Sequence, residues 1–70
     1  MKKVWSLKIK DNTIWEWKNS ADNQAEEDWI KIGWDAKAIF CDSLGKLYNI
    51  NKRTGAVWSY DGEPMSWTLV

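Results

Sequence analysis

The chain has 70 residues, with ten Lys and Arg against ten Asp and Glu, no histidine, one cysteine and seven tryptophans. Such a length holds one small domain, which on its own buries only about 60% of the surface that its unfolded chain exposes. The balanced charge argues against nucleic acid, whose binding needs a basic stripe. One cysteine cannot make an internal disulfide, and without histidine a zinc site is not expected; the expected set of metals and cofactors is none.

No apolar run approaches the roughly 18 residues of a membrane span. Met1-Lys2-Lys3 leads into Trp5, Ser6 and Lys8 rather than into an apolar stretch. No signal peptide is therefore expected, and the unpaired cysteine makes the cytoplasm the default location. A core this small rarely supplies more than about 3–5 kcal/mol without a staple, which leaves oligomerisation or stacking on a neighbouring module as the device available.

Val4 to Ile9 alternates, with Val4, Ser6 and Lys8 on one side and Trp5, Leu7 and Ile9 on the other. That period of two is the mark of a half-buried strand. Asp11-Asn12 makes a turn, because both side chains tolerate left-handed backbone, and Thr13 to Lys18 returns as the second strand of a hairpin. Asn19 to Asp28 is polar and reads as a surface loop; one short helical turn from Ser20 is the alternative. Trp29 to Ile32 forms a third strand ended by Gly33, and Gly33-Trp34-Asp35 turns the chain. Ala36 to Cys41 is an apolar run suited to a strand buried on both faces, with Cys41 a small buried hydrophobe. An amphipathic helix over residues 25–40 competes for this stretch but has Gly33 at its centre. Strands then follow at Lys46 to Ile50, Ala56 to Tyr60 and Trp67 to Val70, separated by turns at Asp42–Gly45, Asn51–Gly55 and Asp61–Pro64.

One unit is written twice. Moved forward by 43 positions, Val4-Trp5-Ser6-Leu7 falls on Leu47-Tyr48-Asn49-Ile50, and Ile14-Trp15-Glu16-Trp17 falls on Val57-Trp58-Ser59-Tyr60. Moved by 38, Trp29-Ile30-Lys31-Ile32 falls on Trp67-Thr68-Leu69-Val70. The expected organisation is one all-β domain of short antiparallel strands in two propeller-blade-like repeats. Residues 1–33 form a three-strand unit and residues 34–70 a four-strand unit. Neither unit buries its apolar face alone, so completion by oligomerisation is expected. A small self-closed barrel is the competing arrangement.

Trp29-Ile30-Lys31-Ile32-Gly33-Trp34-Asp35, then Ala38-Ile39-Phe40 and Gly45-Lys46-Leu47-Tyr48-Asn49-Ile50, resemble the repeat of tachylectin-2-like and tectonin β-propellers. Thr54 to Gly62 and Ser66-Trp67-Thr68 continue the likeness, which covers about residues 29–70 well and 4–33 more loosely. The resemblance implies a lectin-like protein that binds N-acetylated amino sugars, such as N-acetylglucosamine, in metal-free pockets between blades. Family propellers carry five or more repeats, whereas this chain has fewer than two full ones.

A sugar pocket needs an aromatic ring over the apolar face of a pyranose and polar groups set beside it. Trp34 and Asp35 at a turn permitted by Gly33 offer that pair, Asp28-Trp29 offers another, and Asn49 or Asn51 completes either. The tryptophans that follow the repeat, namely Trp5, Trp15, Trp17, Trp29, Trp58 and Trp67, are expected to be mainly architectural. Trp34 stands outside the repeat. Catalysis finds little support, since Cys41 has no base near it in sequence, no phosphate-binding glycine loop is present, and nothing selects one carboxylate pair over another for glycoside hydrolysis. The expected function is a non-catalytic carbohydrate-binding module that self-associates into a ring. A small protein-interaction module of inhibitor or immunity type is the alternative, as is a fragment or engineered piece of a larger propeller.

Overall fold

A computed structural model describes residues 3–18 and 29–70, and every structural statement below concerns those residues. The expected loop at Asn19–Asp28 and its alternative helical turn lie outside them. The described chain is all-β, in two antiparallel sheets. The first holds β1 (Trp5–Lys8), β2 (Thr13–Trp17) and β3 (Trp29–Gly33), in that order. The second holds β4 (Ala36–Cys41), β5 (Leu47–Asn51), β6 (Val57–Tyr60) and β7 (Trp67–Leu69), also in sequence order. Each sheet is thus a simple meander, as expected when consecutive strands are joined by tight turns.

Register decides what each sheet turns inward. In the first, Trp5 lies opposite Glu16 and Leu7 opposite Ile14, with Glu16 opposite Ile30, while Ser6 lies opposite Trp15 and Trp15 opposite Lys31. In the second, Ile39 lies opposite Asn49, Asn49 opposite Trp58, and Tyr60 opposite Trp67. The core joins the two sheets: Ile14 and Ile32 come from the first, and Ala36, Leu47 and Tyr60 from the second. Trp5, Leu7, Ile30, Ile39 and Trp67 pack around them. Ser6, Lys8 and Trp15 therefore face away from the second sheet. Tyr48, Ile50 and Val57, which alternate with the inward residues of β5 and β6, face away from the first.

The left-handed turns match across the repeat. Asn12 at φ 62° in the first hairpin occupies the position of Gly55 at φ 77° in the second. The same backbone bond closes both, from Asn12 N to Lys8 O at 2.7 Å and from Gly55 N to Asn51 O at 2.9 Å. Asn12 also ties the units together. Its Nδ2 donates to Ala36 O at 3.0 Å, its carbonyl accepts from Ala36 N at 3.1 Å, and its Oδ1 accepts from Lys52 Nζ at 3.1 Å.

Three expectations change, two about burial and one about the backbone. Ala36 to Cys41 is a strand, but its burial pattern is not that of one covered on both faces: Phe40 is 45% exposed, and Cys41 is exposed. β4 is an outermost strand, with Phe40 opposite Tyr48 on the outer side of its sheet and Cys41, opposite Leu47, at the strand's end. An apolar run specifies what a strand prefers, not whether a neighbour is there to cover it. Ile9, expected to close the first strand, falls in the turn and is 83% exposed. The positive φ of the Gly33–Asp35 turn falls on Asp35, at 55°, rather than on Gly33. Glycine is required at 33 for a different reason. A Cβ there would lie 2.9 Å from Ile14 Cδ1 and 3.0 Å from Trp67 Cζ2, so the missing side chain lets the indole of Trp67 lie against β3.

Candidate functional site: two clefts at equivalent places in the repeat

The first cleft has a volume of about 400 Å³ and opens where β3 hands over to the second sheet. Its walls are Trp34, Trp58 and Trp67, with Asn49, Asn51, Arg53 and Met65 between them. Each arrives for a local reason. Asn49 and Asn51 alternate on the inward side of β5, and Asn49 pairs in register with Trp58. Trp67 is anchored by its indole Nε1, which donates to Ile32 O at 2.7 Å, and its ring meets that of Tyr60 at 5.0 Å between centroids. Trp34 leaves β3 just after Gly33 and is 50% exposed, which places an indole from the link between the two sheets beside the cleft of the second.

Polar groups here are held in place before any ligand arrives. Asn51 Oδ1 accepts from Arg53 N at 2.9 Å, Thr54 N at 3.0 Å and Thr54 Oγ1 at 3.3 Å. Arg53 Nη2 pairs with Asp35 Oδ2 at 2.8 Å, with both side chains partly in solvent. Such a pair is worth little in stability, but it orients the guanidinium at the edge of the cleft. Asn49 is buried to 5% exposure on the floor. Asp35 therefore acts one step behind the cleft, through Arg53, and its own backbone carbonyl accepts from Lys52 N at 2.7 Å.

The second cleft, about 410 Å³, lies on the outer side of the first sheet and is lined by Ser6, Lys8, Trp15 and Trp29. Offset by 43 or 38 residues, these four positions become Asn49, Asn51, Trp58 and Trp67. The two clefts are one site written twice with different polar groups. Trp15 is fixed by a relay in which its Nε1 donates to Thr13 Oγ1 at 2.8 Å and that hydroxyl donates to Asp11 Oδ1 at 2.6 Å. Lys8 Nζ lies 5.8 Å from the Trp15 ring centroid, within cation–π range. Trp29 stacks on Trp17 with centroids 6.4 Å apart and planes 27° from parallel.

Of the six site residues expected from sequence, Trp34 and Asn49 meet in the first cleft, and Asp35 supports it through Arg53. Trp29 lines the second cleft. Gly33 is a packing position under Trp67, and Asp28 lies outside the described residues. Sequence reasoning missed Trp58, Trp67, Arg53 and Met65 as lining residues. The tryptophans that follow the repeat are expected to be mainly architectural; Trp15, Trp29, Trp58 and Trp67 are half-buried, and each also lines a cleft. The signal was present in the alternation. Asn49 and Asn51 fall on the same side of β5 as Leu47, where a buried strand would ordinarily continue apolar.

Among the described residues, no group of three or more His, Cys, Asp or Glu side chains converges as metal ligands would. No helix there is long and apolar enough to cross a membrane. Comparison with protein-family models, curated proteins and solved structures finds no match to this chain.

Proposed function

We propose that this chain is a non-catalytic, lectin-like carbohydrate-binding module that takes an N-acetylated amino sugar in the first cleft. The observation carrying this reading is the combination there of three indoles with two asparagine amides and a held guanidinium. An indole covers the C–H side of a pyranose, and the ring's hydroxyls must regain from the protein the hydrogen bonds they lose to water. Trp34, half-exposed, is the ring that a sugar covers. Asn49 offers an amide on the floor. Asn51, whose Oδ1 is committed to its own turn, offers Nδ2, and Arg53 donates from the rim. On the same reading the two units are propeller-like blades, and further copies of the chain complete the ring.

The test is titration of intrinsic tryptophan fluorescence with N-acetylglucosamine, beside glucose and galactose as controls. A saturable change with the acetamido sugar is expected, and Trp34→Ala weakens it at least tenfold, or about 1.4 kcal/mol. Emission unchanged up to millimolar sugar would overturn the carbohydrate reading. The Trp34 and Met65 surface would then be better understood as an anchor for a protein partner.

A further inference from the structure

We propose that the outer face of the second sheet docks on the outer face of the first sheet of a second copy of this chain, head to tail. That contact repeats between molecules the joint that the chain already makes within itself. The inference rests on the self-associating part of the reading above and is independent of the ligand.

The repeat supplies the argument. Trp5, Leu7 and Ile14 form the inward face of the first sheet, and their counterparts 43 residues on are Tyr48, Ile50 and Val57, on the outward face of the second. In the other direction, Ser6, Lys8 and Trp15 look outward from the first sheet, while their counterparts Asn49, Asn51 and Trp58 look inward from the second. Each chain thus carries one buried joint and, at its two ends, the two halves of a second joint left apart. The two halves differ, so the contact is heterologous, and it propagates or closes a ring according to its rotation.

Burial follows cover rather than residue type. Ile32 is 0% exposed, whereas its counterpart Val70 is 75% exposed. Asn49 is 5% exposed beneath the first unit, and its counterpart Ser6 is exposed. Phe40 and Tyr48, stacked at 5.2 Å, extend the uncovered aromatic surface of the second sheet. The joint inside the chain also predicts a specific bond between copies. Trp67 Nε1 donates to Ile32 O, and the repeat carries that donor onto Trp29 of the second copy and that acceptor onto Val70 of the first. Docking would seat Trp29 as Trp67 is seated, and would wall the second cleft as the first is walled.

The experiment is sedimentation velocity with light scattering on three proteins: the parent chain, Ser6→Arg and Ile50→Glu. The parent is expected to associate in the micromolar range. Each variant alone should raise the midpoint concentration at least tenfold, or about 1.4 kcal/mol. Ser6→Arg blocks the first sheet and leaves the second free, and Ile50→Glu does the reverse. A 1:1 mixture should therefore recover a two-chain species and no larger one. Near-ultraviolet circular dichroism checks the fold, and Phe40→Glu, at a more exposed position on the same face, replaces Ile50→Glu if that variant unfolds.

A monomeric parent overturns the proposal. So does association that survives both variants, or a mixture that stays monomeric. A chain that associates without any fluorescence response to sugar sinks the carbohydrate reading and leaves the docking in place. A monomer that binds sugar does the opposite.

Discussion

Tyr60 sets its ring against Trp67 between the sheets, and its hydroxyl is buried without a hydrogen-bond partner. Burial, first, and the Glu16 carboxylate, which lies near enough to act as a charge and a weak acceptor but outside full hydrogen-bond geometry, push its ionisation up to about 12 from the ordinary 10.0. The folded chain thus holds this proton more tightly than the unfolded chain does. Stability is unaffected below about pH 10 and declines as the pH climbs from there towards 12. Tyr60→Phe removes the unpaired hydroxyl and its share of the alkaline decline, while Tyr48, raised by its bond to Asp42, keeps the rest. It is expected to gain about 1 kcal/mol at neutral pH, since an unsatisfied buried hydroxyl costs about that much or more. Urea unfolding at neutral and alkaline pH measures both effects, and a variant less stable than its parent at neutral pH would mean that the hydroxyl has a partner after all.

The β4–β5 hairpin is held by a single carboxylate at its tip. Asp42 Oδ1 accepts from Leu44 N and Lys46 N, both at 2.9 Å, and Oδ2 accepts from the Tyr48 hydroxyl at 2.9 Å. These bonds, led by that from the Lys46 amide, hold its ionisation below the usual 3.8, and the Tyr48 hydroxyl is raised in turn. A depressed carboxylate stabilises the fold fully above its unfolded value and stops doing so as the pH falls through its folded one. Asp42→Asn should therefore lower the melting temperature at neutral pH and flatten its decline below about pH 4. Asp11, depressed by the Thr13 hydroxyl, keeps part of that decline. Identical acid profiles for parent and variant would remove Asp42 from this role. At this scale the sequence was readable: alternation, an apolar run and the turns between them located all seven strands, and Asp-Asn and Thr-Gly marked the left-handed turns at Asn12 and Gly55. Burial was not readable, because Cys41 and Phe40 look like core residues and are exposed instead on an outermost strand.

At the scale of the whole molecule, the two sheets meet over Gly33. A methyl group there would press on the Ile14 Cδ1 methyl, which can swing, and on the Trp67 indole, which is held by its bond to Ile32 O and cannot retreat easily from a packed seam. Gly33→Ala is expected to cost about 1–3 kcal/mol, the range for overpacking a core. In a chain of this size that lowers the melting temperature by at least about 4 °C. An unchanged melting temperature would mean that the seam yields. The repeat made the existence of this seam readable, but its geometry was not. The need for glycine arises from a residue 34 positions away whose indole crosses between sheets.

The matched turns at Asn12 and Gly55 finally set a hierarchy of strength. Asn12 uses its side chain to clasp Ala36 and Lys52 across the seam inside the chain. Gly55, with the same backbone shape, has no side chain with which to clasp anything. A joint built by the outer face of the second unit lacks that latch. Any assembly of such chains would come apart first between molecules, and the covalent pair of units would be the piece that persists.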